Sequence, residues 1–123
     1  MPGTATPAGP GPSEDPASED PVPEVDAREA RERAADGALL LDVREPDEWA
    51  ESHVDGARHL PLADLDPSSV RNGPVVVMCR SGRRSAEAVR ALRAHGRDDV
   101  VNLAGGVLAW REVGFPLVAG SEA

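Results

Sequence analysis

Lysine is absent from this 123-residue chain, so all 13 of its basic residues are arginines. Tyrosine is absent too, and aromatic residues make up only 2%. A core must therefore be built from small aliphatic side chains, which the 40% hydrophobic content supplies. No apolar run approaches the roughly 20 residues that a membrane-spanning helix needs. The N-terminus lacks a basic stretch followed by an apolar one, so it does not read as a secretory signal. These absences predict a cytoplasmic protein with no membrane partner.

Cysteine is nearly absent. The single Cys79 excludes a disulfide within the chain and a cysteine-built zinc site. His53, His59 and His95 lie far apart without ligand spacing, so neither a metal nor another cofactor is expected. The net charge of −9 argues against general nucleic-acid binding. Glu14, Asp15, Glu19, Asp20 and Glu24 all precede the first basic residue, Arg28. The part that folds is therefore closer to neutral than the total suggests. A chain of this length accommodates one domain, and a monomer is the expectation because no apolar surface stripe stands out.

Residues 1–22 are an acidic tail rich in Pro and Ala. Such a segment cannot bury enough apolar surface to offset the entropy of ordering it, which predicts disorder. The folded domain is expected over 23–118, with a short flexible C-terminus over 119–123. Within the domain, 25–35 has helical composition, with Asp26 as N-cap and Gly37 past the end. Residues 38–43 form an apolar run suited to a strand buried on both faces. Helix is expected over 45–51, with Pro46 in the first turn, and strand over 57–60. A helical turn follows over 62–65.

The run 75–78 is the most strand-like in the chain. Helix is then expected over 85–95, stopped by Gly96, and strand over 100–103. Gly105 and Gly106 open a last helix through Val113, and Phe115-Pro116 begins a short closing segment. Strands alternating with helices predict an α/β domain whose mostly parallel sheet is covered on both faces. Ligands bind beyond the carboxyl ends of such strands, which is where Cys79 falls.

A lone cysteine is most often a small buried hydrophobe. Its neighbours point elsewhere: Val77-Met78-Cys79-Arg80-Ser81-Gly82-Arg83-Arg84-Ser85 reads as strand, tight loop, helix start. Unpaired N–H groups at a helix N-terminus favour an anion, and consecutive loop N–H groups can form a cradle for one. Gly82 permits a tight curve. Arg80, Arg83 and Arg84 add positive charge. Each effect stabilises a thiolate over a thiol and draws a small dianion to the same place. Cys79 is thus the candidate nucleophile, with Arg80, Ser81, Gly82, Arg83, Arg84 and Arg44 as candidate substrate contacts.

Four segments in order resemble the rhodanese homology domain, over about residues 23–118. They are Leu40-Leu41-Asp42-Val43-Arg44; the stretch from Glu48 to Ala57, with Asp55 where proline is more usual; the loop Cys79–Ser85; and the stretch from Asn102 to Trp110. The resemblance implies a three-layer α/β/α fold with about five strands. It also implies a sulfurtransferase that moves sulfane sulfur from thiosulfate or a similar donor through a Cys79 persulfide. The acceptor would be an external thiol, cyanide or a protein.

By this resemblance Arg80 helps bind the anionic donor, and Arg83 is the most solvated of the loop arginines. Arg84 has two directions open to it, into the loop or along the helix flank. Arg44 has two roles open, lining the crevice or pairing with Asp42 or Glu45. Asp42 is expected to fix loops by accepting backbone hydrogen bonds. His53 has two roles open, a general base or a residue of what is a structural turn in the family, and Trp49 and Trp110 are expected in the core. Gly105 and Gly106 are expected to permit a sharp turn and close packing.

Two alternatives follow from the same residues. One is a persulfide carrier or regulatory module without turnover. The other is a cysteine-dependent phosphatase or arsenate reductase. Such enzymes place an arginine at the sixth position after the cysteine; here that position is Ser85. The chain also lacks a second thiol to resolve an arsenate intermediate.

Overall fold

The computed structural model describes residues 21–120. Five strands form one sheet: β1 (Glu24–Val25), β2 (Leu39–Asp42), β3 (Arg58–His59), β4 (Val75–Met78) and β5 (Val100–Leu103). Their spatial order is β1-β5-β4-β2-β3 and every pairing is parallel. Helices α1 (Ala27–Ala35), α2 (Pro46–Glu51) and α3 (Arg83–Ala94) lie between strands, and α4 (Gly106–Glu112) follows β5. Two single turns of 3-10 helix, Leu62–Asp64 and Pro67–Ser69, lie between β3 and β4.

Alternation along the strands divides the core in two. Leu40, Val76, Met78 and Leu103 point to one face, where they pack with Ala27, Ala30, Trp49, Val107 and Trp110 of α1, α2 and α4. Leu41, Val43, Val75, Val77, Cys79 and Val100 point to the other, against Ala88, Val89 and Leu92 of α3. This is the α/β/α layering that the sequence predicts. Every side chain of β4 is buried, so its apolar run of valines is what a central parallel strand requires. Among the described residues, no helix is long and apolar enough to cross a membrane.

Besides shifts of one residue at other element ends, three boundaries differ from the sequence reading. Glu24 and Val25 form β1, whereas the helical run was expected to start at Val25. The edge of β5 is open to pairing, and Asn102 N–H donates to the Pro23 carbonyl (2.8 Å) while Ala104 N–H donates to that of Val25 (2.9 Å). Asp26 then turns the chain and caps α1 by accepting from Glu29 N–H at 2.8 Å. Secondly, Pro21 and Val22 of the tail expected over 1–22 are among the described residues, and Val22 packs against the α3-side core. The rest of that tail, up to residue 20, and residues 121–123 of the expected C-terminal segment lie outside the described residues. Thirdly, α3 starts at Arg83, two residues before the expected Ser85. Gly82, in the left-handed region at φ 104°, ends the loop early enough for the helix to include both arginines.

A buried ion pair closes the carboxyl end of β2. Arg44 Nε and Nη2 grip the Asp42 carboxylate at 2.9–3.1 Å, and Arg44 N–H donates to the same carboxylate at 3.0 Å. Arg44 Nη2 also donates to the Ser52 carbonyl at 2.7 Å, tying the end of α2 to the sheet. Arg44 is 4% exposed and Asp42 is fully buried. Removing one partner of such a pair leaves an uncompensated charge in a low dielectric. Asp42→Ala is expected to destabilise the fold by about 3–5 kcal/mol, measured by urea unfolding. A loss under about 1 kcal/mol would show that Arg44 finds a substitute partner or water.

Candidate active site

Cys79 follows the last residue of β4, and its side chain is 1% exposed. The backbone turns over it through Arg80, Ser81 and Gly82 and enters α3. Gly82 N–H donates to Cys79 Sγ at 3.0 Å, and the Ser85 hydroxyl lies 3.4 Å from the same sulfur. Burial pushes the thiol up. The Ser85 hydroxyl and the backbone N–H groups of Ser85, Gly82 and Ser81 outweigh it, and the net direction is down from the ordinary thiol value. Here the strand–loop–helix geometry read from the sequence takes effect: neutral N–H dipoles converge on one sulfur.

The arginines divide into two groups. Arg84 is committed along the helix flank: its Nη1 and Nη2 donate to the two Glu48 carboxylate oxygens at 2.7 and 2.9 Å. Glu48 also accepts from the Glu45 N–H at the start of α2 (2.9 Å). The Arg84 hydrogen bonds are the largest influence on the Glu48 carboxyl, which is lowered to about 2. Glu48 therefore stays ionised at neutral pH and offsets the charge of Arg84. Arg44 is committed to Asp42, so ion pairing is the role the geometry gives it. It nevertheless also lines a cleft of about 160 Å³ between α2 and α4, with Arg80, Arg111, Glu48 and Glu51. Arg80 and Arg83 are exposed and have no ion-pair partner among the described residues. Ser81 contributes its backbone N–H to the sulfur.

Three participants were not among the candidates. Ser85 stands at the third position of α3, which turns its hydroxyl back to the sulfur. Asn102, on β5, accepts from that hydroxyl at 2.6 Å and donates to the Gly82 carbonyl at 3.0 Å. Glu48 neutralises Arg84. A polar residue inside the apolar run 100–103 is the signal that marks Asn102. His53 is held in the fold: its ring stacks on Trp49 at 3.6 Å between centroids, and its Nδ1 lies 2.7 Å from the Trp49 carbonyl. His59 stacks on the same indole and meets the Arg44 carbonyl at 2.8 Å.

The start of α4 clamps the loop from behind. Val107 N–H donates to the Cys79 carbonyl (2.8 Å) and Leu108 N–H to that of Arg80 (3.1 Å). Gly106, at φ 60°, lies so close that a β carbon there would stand 2.4 Å from the Cys79 oxygen and 2.5 Å from the Arg80 oxygen.

Residues 26–113 match the sequence model of the rhodanese-like domain family. The chain belongs to that family. It is 39% identical over 104 residues to a protein named sulfurtransferase from Allochromatium vinosum, covering 80% of this chain and 96% of that one. It is 33% identical over 95 residues to the thiosulfate sulfurtransferase GlpE of Ectopseudomonas mendocina, covering 75% of this chain and 86% of GlpE. A further relative from Synechocystis, 39% identical over 89 residues, is matched over half of its own length. The crystal structure of a rhodanese-related protein from Thermoplasma volcanium superposes with a TM-score of 0.71 at 30% identity, covering 78% of this chain and 97% of that one. The rhodanese-like fold accounts for the position of Cys79 at the carboxyl end of a central strand.

Two expectations follow. The lowered thiol retains its thiolate to lower pH than an ordinary cysteine. The rate of Cys79 alkylation by iodoacetamide should therefore titrate with a midpoint below the free-cysteine value of about 8.5. A midpoint at or above that value would mean that burial outweighs the N–H groups. Gly106→Ala should lower the melting temperature far more than Gly114→Ala. Both glycines have positive φ, but a β carbon at Gly114 meets nothing within 4 Å. The Gly114 change should cost only the left-handed strain, about 1–2 kcal/mol. Equal losses would show that the loop gives way to the added methyl.

Proposed function

We propose that this rhodanese-like protein is a sulfurtransferase that moves sulfane sulfur from thiosulfate or a related donor through a persulfide on Cys79. The observation that carries the reading is the sulfur itself, held at the end of β4 with Gly82 N–H at 3.0 Å and shifted toward thiolate. In the first step the Cys79 thiolate attacks the outer sulfur of thiosulfate. A new S–S bond forms, the bond within thiosulfate breaks, and sulfite leaves with its electron pair. Cys79 then carries a terminal sulfur with a negative charge. In the second step an acceptor thiolate or cyanide attacks that sulfur, and the Cys79 thiolate is regenerated. This is covalent catalysis in two displacements.

Each step develops charge on sulfur inside a cradle of preorganised N–H groups, which need no reorientation to stabilise it. Arg80 and Arg83, without carboxylate partners among the described residues, are the groups left to attract a dianionic donor. The relatives named sulfurtransferase and thiosulfate sulfurtransferase support the same chemistry. The chain has no second cysteine, so the acceptor comes from outside it. A reducing cytoplasm, where a lone thiol stays available, suits this cycle.

Phosphate chemistry is less well served. The arginine nearest a clamping position, Arg84, already spends both terminal nitrogens on Glu48. An oxyanion would have to compete with that carboxylate for its bidentate grip.

Intact mass after thiosulfate treatment tests the proposal. The wild type should gain the mass of one sulfur atom, and Cys79→Ser should gain none. Steady-state kinetics with cyanide should show Arg80→Ala raising KM for thiosulfate by about tenfold with a smaller effect on kcat, as for a lost hydrogen bond to a charged group. No sulfur gain from thiosulfate, polysulfide or cysteine persulfide would overturn the reading. So would Cys79-dependent hydrolysis of an aryl phosphate without sulfur transfer.

A further inference from the structure

Ser85 has one hydroxyl proton and two neighbours that want it. Its Oγ lies 2.6 Å from Asn102 Oδ1 and 3.4 Å from Cys79 Sγ. The orientation of the Asn102 amide is not free. Its Nδ2 faces the Gly82 carbonyl at 3.0 Å and the Glu24 carboxylate at 3.0 Å. Both partners only accept, so the nitrogen must face them and the oxygen must face Ser85. An amide oxygen also only accepts. The short contact is therefore a bond from Ser85 O–H to Asn102, and while it lasts Ser85 has no proton for the sulfur.

We propose that Asn102 is a positioning residue that competes with Cys79 for the hydroxyl proton of Ser85, and so restrains ionisation of the nucleophile. With Cys79 as a thiol, Ser85 donates to Asn102, and a lone pair on Oγ remains to accept from the S–H. When the thiol proton leaves to solvent, the sulfur becomes the stronger acceptor. The hydroxyl then swings toward Sγ, and Asn102 Oδ1, fully buried, loses its donor. That loss opposes the ionisation. The N–H groups still favour the thiolate, but less than they would without Asn102, and the charged sulfur recruits Ser85 at the expense of that residue.

The arrangement is built across three elements. In the β4–β5 register Asn102 stands opposite Val77, which puts its side chain on the face shared by Cys79 and α3. Glu24 reaches it from β1 and Ser85 from α3. The other charged groups near the sulfur are Arg84 of α3, which feels the Cys79 charge, Glu48 of α2 bound to it, and the loop residues Arg80 and Arg83. None of these donates a hydrogen bond to Sγ among the described residues. The inference rests on Cys79 being the nucleophile, yet its test reads ionisation and not sulfur transfer. The two failures are therefore distinguishable.

The test is the pH dependence of Cys79 alkylation in a two-by-two set: wild type, Ser85→Ala, Asn102→Val and the double variant. Ser85→Ala should slow alkylation at pH 6. Asn102→Val should accelerate it by about fivefold, the effect of one hydrogen bond made wholly available to the sulfur. On the Ser85→Ala background the Asn102 change should have no effect. Slower alkylation in Asn102→Val, or the same change in both backgrounds, would show that Asn102 acts only through the loop it braces, and would sink the proposal. A measurement without any Asn102 variant covers the case in which that variant does not fold. The side-chain carbonyl carbon of Asn102, followed by NMR, should titrate with Cys79 in the wild type and stay flat in Ser85→Ala. A signal flat in both, or titrating equally in both, overturns the coupling.

Discussion

Gly106 meets the peptide that follows Cys79 so closely that no side chain fits between them. A β carbon there would fall 2.4 Å from one loop oxygen and 2.5 Å from the next. The consequence runs in both directions along the chain. Because α4 approaches this near, Val107 and Leu108 can donate to the Cys79 and Arg80 carbonyls. With both carbonyls turned back toward α4, the Ser81 and Gly82 N–H groups are left to act on the sulfur. The curve of the loop over Cys79 is thus imposed from behind by a helix that contributes nothing to the sulfur itself. Gly82 completes it, at φ 104°, where a β carbon would come 3.3 Å from Gly105 N.

Within that frame the charges are sorted by function. Arg44 and Arg84 belong to Asp42 and Glu48, and each pair joins two elements. Asp42–Arg44 locks the end of β2 to the end of α2 through the Ser52 carbonyl. Glu48–Arg84 joins α2 to the first turn of α3. Trp49, one residue from Glu48, is flanked by the rings of His53 and His59, so α2 is fastened on its buried side as well. The net result is a rim braced by two neutralised pairs, on which Arg80 and Arg83 have no ion-pair partner among the described residues. A count of arginines in the motif overstates the positive charge available to a substrate by the two that are already paired.

The element types and their order were legible because the apolar periodicity is strong and the connections are short. The runs 75–78 and 100–103 were read to the residue. The two-residue strand β1 was not, because so short a segment has no alternation to detect and exists through pairing with β5. The start of α3 was misplaced by two residues for a related reason. A run of arginines suits a loop or a first helical turn equally, and Gly82's left-handed backbone decides between them. Cys79 and its loop were legible because chemistry concentrates there within a few consecutive positions. Ser85, Asn102 and Glu48 were not, because their contribution depends on contacts spanning 17 to 36 residues. No local pattern encodes the distance from Asn102 to a serine on another element. The buried asparagine in an apolar strand was the only trace that such a contact existed.

The division of labour around Cys79 bears on why the sulfur is held by neutral dipoles. An arginine paired directly with the thiolate would stabilise it strongly, but the same arginine would be lost to a dianionic donor, and the paired sulfur would be a poorer nucleophile. Backbone N–H groups avoid that conflict. They are fixed by the loop, they carry no mobile charge, and they serve a bare thiolate or a sulfur-bearing one alike. Under the proposed sulfur-transfer cycle the side chains are then free for separate tasks: Arg80 and Arg83 to draw the donor, Ser85 to follow the charge on the sulfur, and Asn102 to set when Ser85 does so. On that proposal, reactivity is set by competition for one hydroxyl proton inside a neutral cradle, while the exposed Arg80 and Arg83 keep formal charge at the rim.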